Sequence, residues 1–273
     1  MTSNIHLRES EPDHRPRTKV PPQSSFVAVP FSYTPSPDGT DENLLILLHG
    51  LGDTHIPFSK LGRKLNLPQT ATLALRAPEQ VPFLYEQAFQ WYTSFDPLGD
   101  LIDRPNPTPA LKLLSKLLDH LIGHCSWPPS RIHLFGFAQG GSVAAEFGIK
   151  WWKSETTKPA QSSVESDTAQ FPRPLGSIVS VAGPLLSFPT LSKICDTPVL
   201  VFHRPPPSGC ALPGDAITAF KKGFVNVVEV KMGGGDGMPQ GMDQWEPIMR
   251  FWSEQLGKRQ VDGLYEVLSD TAL

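Results

Sequence analysis

Ile132-His133-Leu134-Phe135-Gly136-Phe137-Ala138-Gln139-Gly140-Gly141-Ser142 is the stretch on which the fold of this 273-residue chain turns. Arg131 to Phe135 reads as a strand, and Ser142 to Trp152 carries a helical pattern. Between them lies Gly136-Phe137-Ala138-Gln139-Gly140. A strand that reverses this sharply into a helix leaves room only for glycine two residues either side of the turn's central residue. Such a turn lifts one side chain, here Ala138, to the mouth of a sheet, and aims a helix N-terminus at the same spot. The joint belongs at the carboxyl end of a parallel strand.

Working outward, Leu44-Leu45-Ile46-Leu47-Leu48 is apolar without alternation, as expected of a strand covered on both faces. Ala71–Arg76, Ile178–Val181, Pro198–Phe202 and Val225–Val230 are further strands. Pro57–Leu65, Ala216–Phe220 and Trp245–Leu256 are helices. Another helix starts near Thr108, read as its N-cap with Pro109 at the first helical position, and stops at Gly123. Phe26–Tyr33 alternates like a strand, but Pro30 confines it to a sheet edge. Strands alternating with helices imply right-handed crossovers, so the expected class is α/β, with a mostly parallel central sheet and helices on both faces. The expected organisation is a disordered arm over residues 1–24, one domain over 25–257 with a flexible insertion at 153–174, and a tail over 258–273.

Composition excludes several classes. The net charge is −3, with no basic stripe, so nucleic acid is not an expected partner. No apolar run approaches a membrane span. Cys125, Cys195 and Cys210 are odd in number and widely spaced, which fits neither a disulfide framework nor a metal site and points to a reducing, cytoplasmic setting. The sequence calls for no cofactor and no metal.

The glycine-flanked turn matches the G-x-S-x-G elbow of hydrolases, with alanine where the nucleophilic serine would stand. Three segments in order, Leu45–Thr54 (LILLHGLGDT), Phe89–Asp96 (FQWYTSFD) and Ile132–Gly141 (IHLFGFAQGG), resemble the phospholipase/carboxylesterase family that includes acyl-protein thioesterases. The resemblance runs from about Phe26 to Leu256. It implies an α/β-hydrolase fold and substrates that are carboxylic esters and thioesters. It also implies oxyanion donors at the backbone N–H groups of Leu51 and Gln139, the latter between the elbow glycines Gly136 and Gly140. The family nucleophile falls on Ala138. The family acid falls in the loop containing Pro207 and Ser208, which has no carboxylate before Asp215. The family base falls on Asp236, in Gly233-Gly234-Gly235-Asp236.

One check needs no resemblance. Hydrolase triads of this fold run serine, acid, histidine along the chain, and no histidine follows His203. The sequence therefore lacks nucleophile, acid and base. The expectation is a pseudoenzyme that binds a small acyl or ester ligand or a protein partner. The alternative is a hydrolase in which Asp236, with a raised pKa, activates a water over Ala138. His49 and Gly50 in the oxyanion loop, with Trp91 and Tyr92, are pocket candidates, although the two aromatics could equally pack the loop. His55 reads as loop-structural, Ser142 as a helix-face residue, Cys210 as passive, and Trp151 and Trp152 as capping a core edge.

Overall fold

The computed structural model describes residues 6–8, 18–82, 87–158, 172–259 and 266–268. The parts of the expected arm, insertion and tail at 1–5, 9–17, 159–171, 260–265 and 269–273 lie outside them.

Seven strands form the central sheet: β1 (Phe31–Thr34), β2 (Asn43–Leu48), β3 (Thr70–Leu75), β4 (Ile132–Phe137), β5 (Ser177–Val181), β6 (Val199–His203) and β7 (Val227–Lys231). Their order across the sheet is β7-β6-β5-β4-β2-β3-β1. Every neighbour pair is parallel except β1 with β3, which is antiparallel. The helices are α1 (His55–Leu65), α2 (Thr108–Gly123), α3 (Gln139–Thr157), α4 (Ala216–Gly223) and α5 (Gly241–Gln255).

The unbroken apolar run of β2 is explained by its two neighbours. Leu44, Ile46 and Leu48 face one buried cluster with Leu114 and Leu118 of α2 and Val143 and Phe147 of α3. Leu45 and Leu47 face the other, with Phe58 of α1 and Ile248 and Trp252 of α5. Helices on both faces leave no solvated side to the central strands, so alternation disappears.

Several boundaries differ from the sequence reading. β1 starts at Phe31, directly after Pro30, rather than at Phe26. α2 does start at Thr108, but the cap residue is Pro107, and the Thr108 N–H is held by Asn106 Oδ1 at 3.1 Å. α3 begins three residues before Ser142. Residues 18–24, read as part of the arm, cross the domain in extended contact with it. Lys19 N–H donates to Asp41 Oδ2 at 2.7 Å, and Gln23 N–H donates to His120 Nε2 at 3.2 Å. Phe26 stacks on the His120 ring at 4.5 Å. His6–Arg8 pairs antiparallel with Glu266–Leu268.

Candidate active site

Ala138 is the joint between β4 and α3, with φ 49° and ψ −115°. A non-glycine residue rarely occupies this region, so the turn holds Ala138 in a strained conformation. What forces it is visible at the flanking glycines. A Cβ on Gly136 would lie 2.1 Å from the Gly140 carbonyl oxygen, and one on Gly140 would lie 2.3 Å from the Leu48 carbonyl oxygen. The turn is pinned by Ala138 N–H donating to the Val181 carbonyl of the next strand at 2.8 Å. Gln139 opens α3, so its N–H belongs to the helix's first turn, where donors have no intrahelical acceptor.

The loop after β2 lies against this elbow. Gly50 has no room for a side chain, because a Cβ there would sit 2.9 Å from the Phe137 ring. His49 is fully buried. Its Nε2 accepts from Ala77 N–H at 2.9 Å, so its Nδ1 carries the proton and donates to the Gly50 carbonyl at 2.7 Å. Burial holds its pKa below the ordinary histidine value. With both ring nitrogens engaged, His49 shapes the loop and has no nitrogen left to move a proton. Leu51, next but one in the chain, is 39% exposed at the surface of the site.

The third segment is tied to both. Trp91 Nε1–H donates to the His49 carbonyl at 2.8 Å, and Gly52 N–H donates to the Phe89 carbonyl at 2.9 Å. The Gln139 side chain accepts from Trp91 N–H at 2.9 Å, and donates to the Tyr92 carbonyl at 3.0 Å and Ser94 Oγ at 2.7 Å. Trp91 is wholly buried and Tyr92 nearly so. The three motifs read separately in the sequence are thus one hydrogen-bonded unit.

A family model described as Phospholipase/Carboxylesterase matches residues 32–156. An uncharacterized hydrolase of Mycosarcoma maydis is 39% identical over 231 residues, covering 82% of this chain and 80% of its own. The chain belongs to the phospholipase/carboxylesterase family. Among solved structures, esterase PE8 superposes with a TM-score of 0.66 at 20% identity, over 84% of this chain and 99% of its own. Zea mays acyl-protein thioesterase 2 superposes with a TM-score of 0.61 at 18% identity, over 84% of this chain and 100% of its own. These likenesses show the α/β-hydrolase fold.

Against the family pattern, the loops after β6 and β7 hold other side chains. Ser208 Oγ donates to Asp236 Oδ1 and accepts from Cys210 N–H at 3.1 Å. The two loops that the resemblance assigned to acid and base are therefore in contact, through a serine and an aspartate. The Ser208 hydroxyl holds the Asp236 carboxyl below the usual carboxylate range, and Asp236 is exposed. The raised pKa expected of a carboxylate in a pocket is absent, because the hydrogen bond from Ser208, with those from the Gly237 and Cys210 backbone and the Arg204 charge, outweighs the slight desolvation of Asp236.

Sequence reasoning missed Arg204, which is 1% exposed. Its guanidinium donates to the carbonyls of Gly234, Gly237 (3.3 Å) and Met238 (3.2 Å) and to Gln244 Oε1 (2.9 Å). Arg204 thus binds the whole 234–238 loop from beneath. The signal was an arginine directly following the apolar strand Val199–His203. Glu146 was also missed. It is a lone carboxylate in the apolar run of α3, and accepts from the N–H groups of Leu186 (2.8 Å) and Ser187 (2.7 Å). These residues border a cleft of about 470 Å³ lined by Asp103, Arg104, Leu185, Leu186, Phe188 and Asp215, among others. The cleft begins one residue beyond Gly183, whose Cα packs so closely on the elbow that a Cβ would lie 2.6 Å from the Ala138 carbonyl oxygen.

Proposed function

We propose that this chain is a catalytically inactive member of its family, a pseudoenzyme that keeps the acyl or ester pocket of its relatives for binding a small ligand or a protein partner. One observation carries the reading: the residue at the nucleophile's place in a fully formed elbow is Ala138. A methyl group has no lone pair with which to attack a carbonyl. Nucleophilic catalysis also needs a base within hydrogen-bond reach, and the base position holds Asp236, engaged with Ser208. Losing a triad serine or histidine removes about 10⁶ of turnover, leaving roughly 10³–10⁴ over water from the oxyanion donors and binding. Leu51 and Gln139 N–H are assigned that residual oxyanion role. His49, Gly50 and Trp91 support the loop, and Tyr92 is the candidate for the pocket wall. The free thiols of Cys125, Cys195 and Cys210 suit a reducing, cytoplasmic setting. Among the described residues no helix is long and apolar enough to cross a membrane.

The depressed pKa of Asp236 favours this reading over an aspartate-activated water, which needs a base poised near neutrality. The test is steady-state hydrolysis of a p-nitrophenyl ester and an acyl thioester by wild type, Ala138→Ser, and a triple variant with Ala138→Ser, Asp236→His and Ser208→Asp. Wild type and the single variant should show no saturable turnover, because a lone serine has nothing to take its proton. Saturable wild-type turnover lost in Asp236→Asn would overturn the reading and establish the water mechanism.

A further inference from the structure

β7 is the last strand of the sheet, paired only with β6 among the described residues. Met232 N–H donates to the His203 carbonyl at 3.0 Å, and the Asn226 carbonyl accepts from Val199 N–H at 2.9 Å. The even-numbered residues therefore turn their backbone groups toward β6. Val227, Glu229 and Lys231 turn theirs outward. Folded chains normally blunt such an edge with a proline, a bulge or several charges. This edge has none of the first two. Its pairing with β6 is regular over all five residues, and its sequence is Val-Val-Glu-Val-Lys. Apolar side chains gather beside it in water: Val228 is 45% exposed, Val225 56% and Ile194 43%.

The charges on the strand select an occupant. Two copies of β7 related by a two-fold axis pair antiparallel, and their register fixes which residues face each other. Centred on Glu229, the pairing sets carboxylate against carboxylate. Centred on Val228, it leaves both Glu229 and Lys231 opposite valines. Centred on Val230, it sets Glu229 of each copy opposite Lys231 of the other, Val228 opposite Met232, and Val230 opposite itself. In that register the outward N–H and C=O groups of Glu229 and Lys231 also meet as hydrogen-bonded pairs. Within one copy Glu229 Oε1 already accepts from His203 Nε2 at 2.9 Å, so Lys231 of the second copy meets the other carboxylate oxygen, and backbone and charge are satisfied together in one arrangement.

We propose that the chain forms a two-fold dimer through β7, in the register centred on Val230, joining two seven-stranded sheets into one continuous sheet. The partner is a second copy of this chain. The elbow and the cleft take no part in the contact, so the dimer stands or falls independently of whether the protein turns over an ester.

The test uses the full chain, with mass followed by sedimentation over a concentration series. Wild type should reach the mass of two chains. Lys231→Pro removes an N–H that the single copy does not use, and should give one chain with an unchanged circular dichroism spectrum. Lys231→Glu sets like charges opposite twice and should weaken the dimer at least about tenfold. Exchanging both charges, with Glu229→Lys and Lys231→Glu together, should restore it. In a Cys210→Ser background, Val230→Cys should give a disulfide-linked dimer under mild oxidant, because facing residues of a non-hydrogen-bonded pair lie about 4.5 Å apart. Val228→Cys should not. A wild type of one chain at its highest soluble concentration overturns the proposal. So does a dimer indifferent to Lys231→Pro, or an edge that pairs only with a strand from a different protein.

Discussion

Ala138 combines the strained conformation of an elbow with a side chain that is only a methyl group. In a working hydrolase the strained elbow raises a serine into the path of the substrate. Here the same strain lifts a methyl group at φ 49° and ψ −115°, in a turn so tight that a Cβ at Gly136 or Gly140 would run into backbone atoms. Holding alanine in such a region costs about 1–3 kcal/mol. Glycine adopts it freely but loses about 0.5–1 kcal/mol through the extra freedom of the unfolded chain. The strain is the larger effect. Ala138→Gly should therefore stabilise the protein by about 1 kcal/mol, seen as a rise of about 2–4 °C in calorimetric midpoint. An equal or lower midpoint would mean that surrounding contacts of the methyl outweigh the backbone strain. Gly140→Ala should act in the opposite sense. Its Cβ meets the backbone oxygen of Leu48 at 2.3 Å, a group that cannot swing aside, so a loss of about 3 kcal/mol, the upper end for overpacking, is expected in urea unfolding.

At the scale of elements, Arg204 ties the loop after β6 to the loop after β7. Its guanidinium is buried among three carbonyls and an amide oxygen, and Asp236 on the same loop supplies nearby negative charge. Removing it leaves those oxygens unsatisfied, and breaking a buried charged network typically costs about 3–5 kcal/mol. Arg204→Met should keep the core packed while freeing the loop. Amide hydrogen exchange over Gly234–Met238 should accelerate far more than exchange in β6. Equal protection in both would show that the loop is held by something else. This network also marks the limit of what the sequence could reveal. Strand and helix alternation, the buried run of β2 and the elbow glycines were legible because each is a local pattern. The loop was read from the place of Asp236 alone, and its real anchor comes from a residue some thirty positions earlier. The start of α5 was missed for a related reason. Pro247 favours the first turn of a helix, and the apolar period begins only at Trp245. Yet the helix begins at Gly241 and carries Pro247 inside it. The candidate site was legible as positions: Ala138, Gly136, Gly140 and the facing Ser208 and Asp236. Their hydrogen bonds were not.

For the whole molecule, buried histidines set the response to acid. His133 lies in the centre of the sheet, with Nδ1 2.8 Å from Ser177 Oγ, and burial pushes its pKa down to about 3. Burial also lowers His49, whose Nε2 must stay unprotonated to accept from Ala77, and His120, whose Nε2 accepts from Gln23. In the unfolded chain each titrates near the ordinary value of about 6.5. As pH falls below that value, the unfolded state takes up protons that the folded state refuses, so stability drops with acid. For His133 the loss continues until pH approaches about 3. His133 contributes a slope of up to about 1.4 kcal/mol per pH unit, and His49 and His120 act in the same direction. Asp38 and Glu155 act lower. Their folded pKa values lie below the carboxylate range, Asp38 through hydrogen bonds from Ser36 and Gln69 and Glu155 through Arg173, which outweigh partial burial. Their stabilisation is present above the unfolded carboxylate pKa and lost only below about pH 4. The stability curve between pH 7 and pH 4.5 is therefore assigned to histidines. Urea unfolding should show a midpoint that declines steadily across that window. His133→Asn keeps a polar partner for Ser177 but does not titrate, so it should flatten the slope by about 1.4 kcal/mol per pH unit, whatever it does to stability at pH 7. A variant whose slope matches wild type would place the acid sensitivity elsewhere and show that His133 is protonated in the folded sheet.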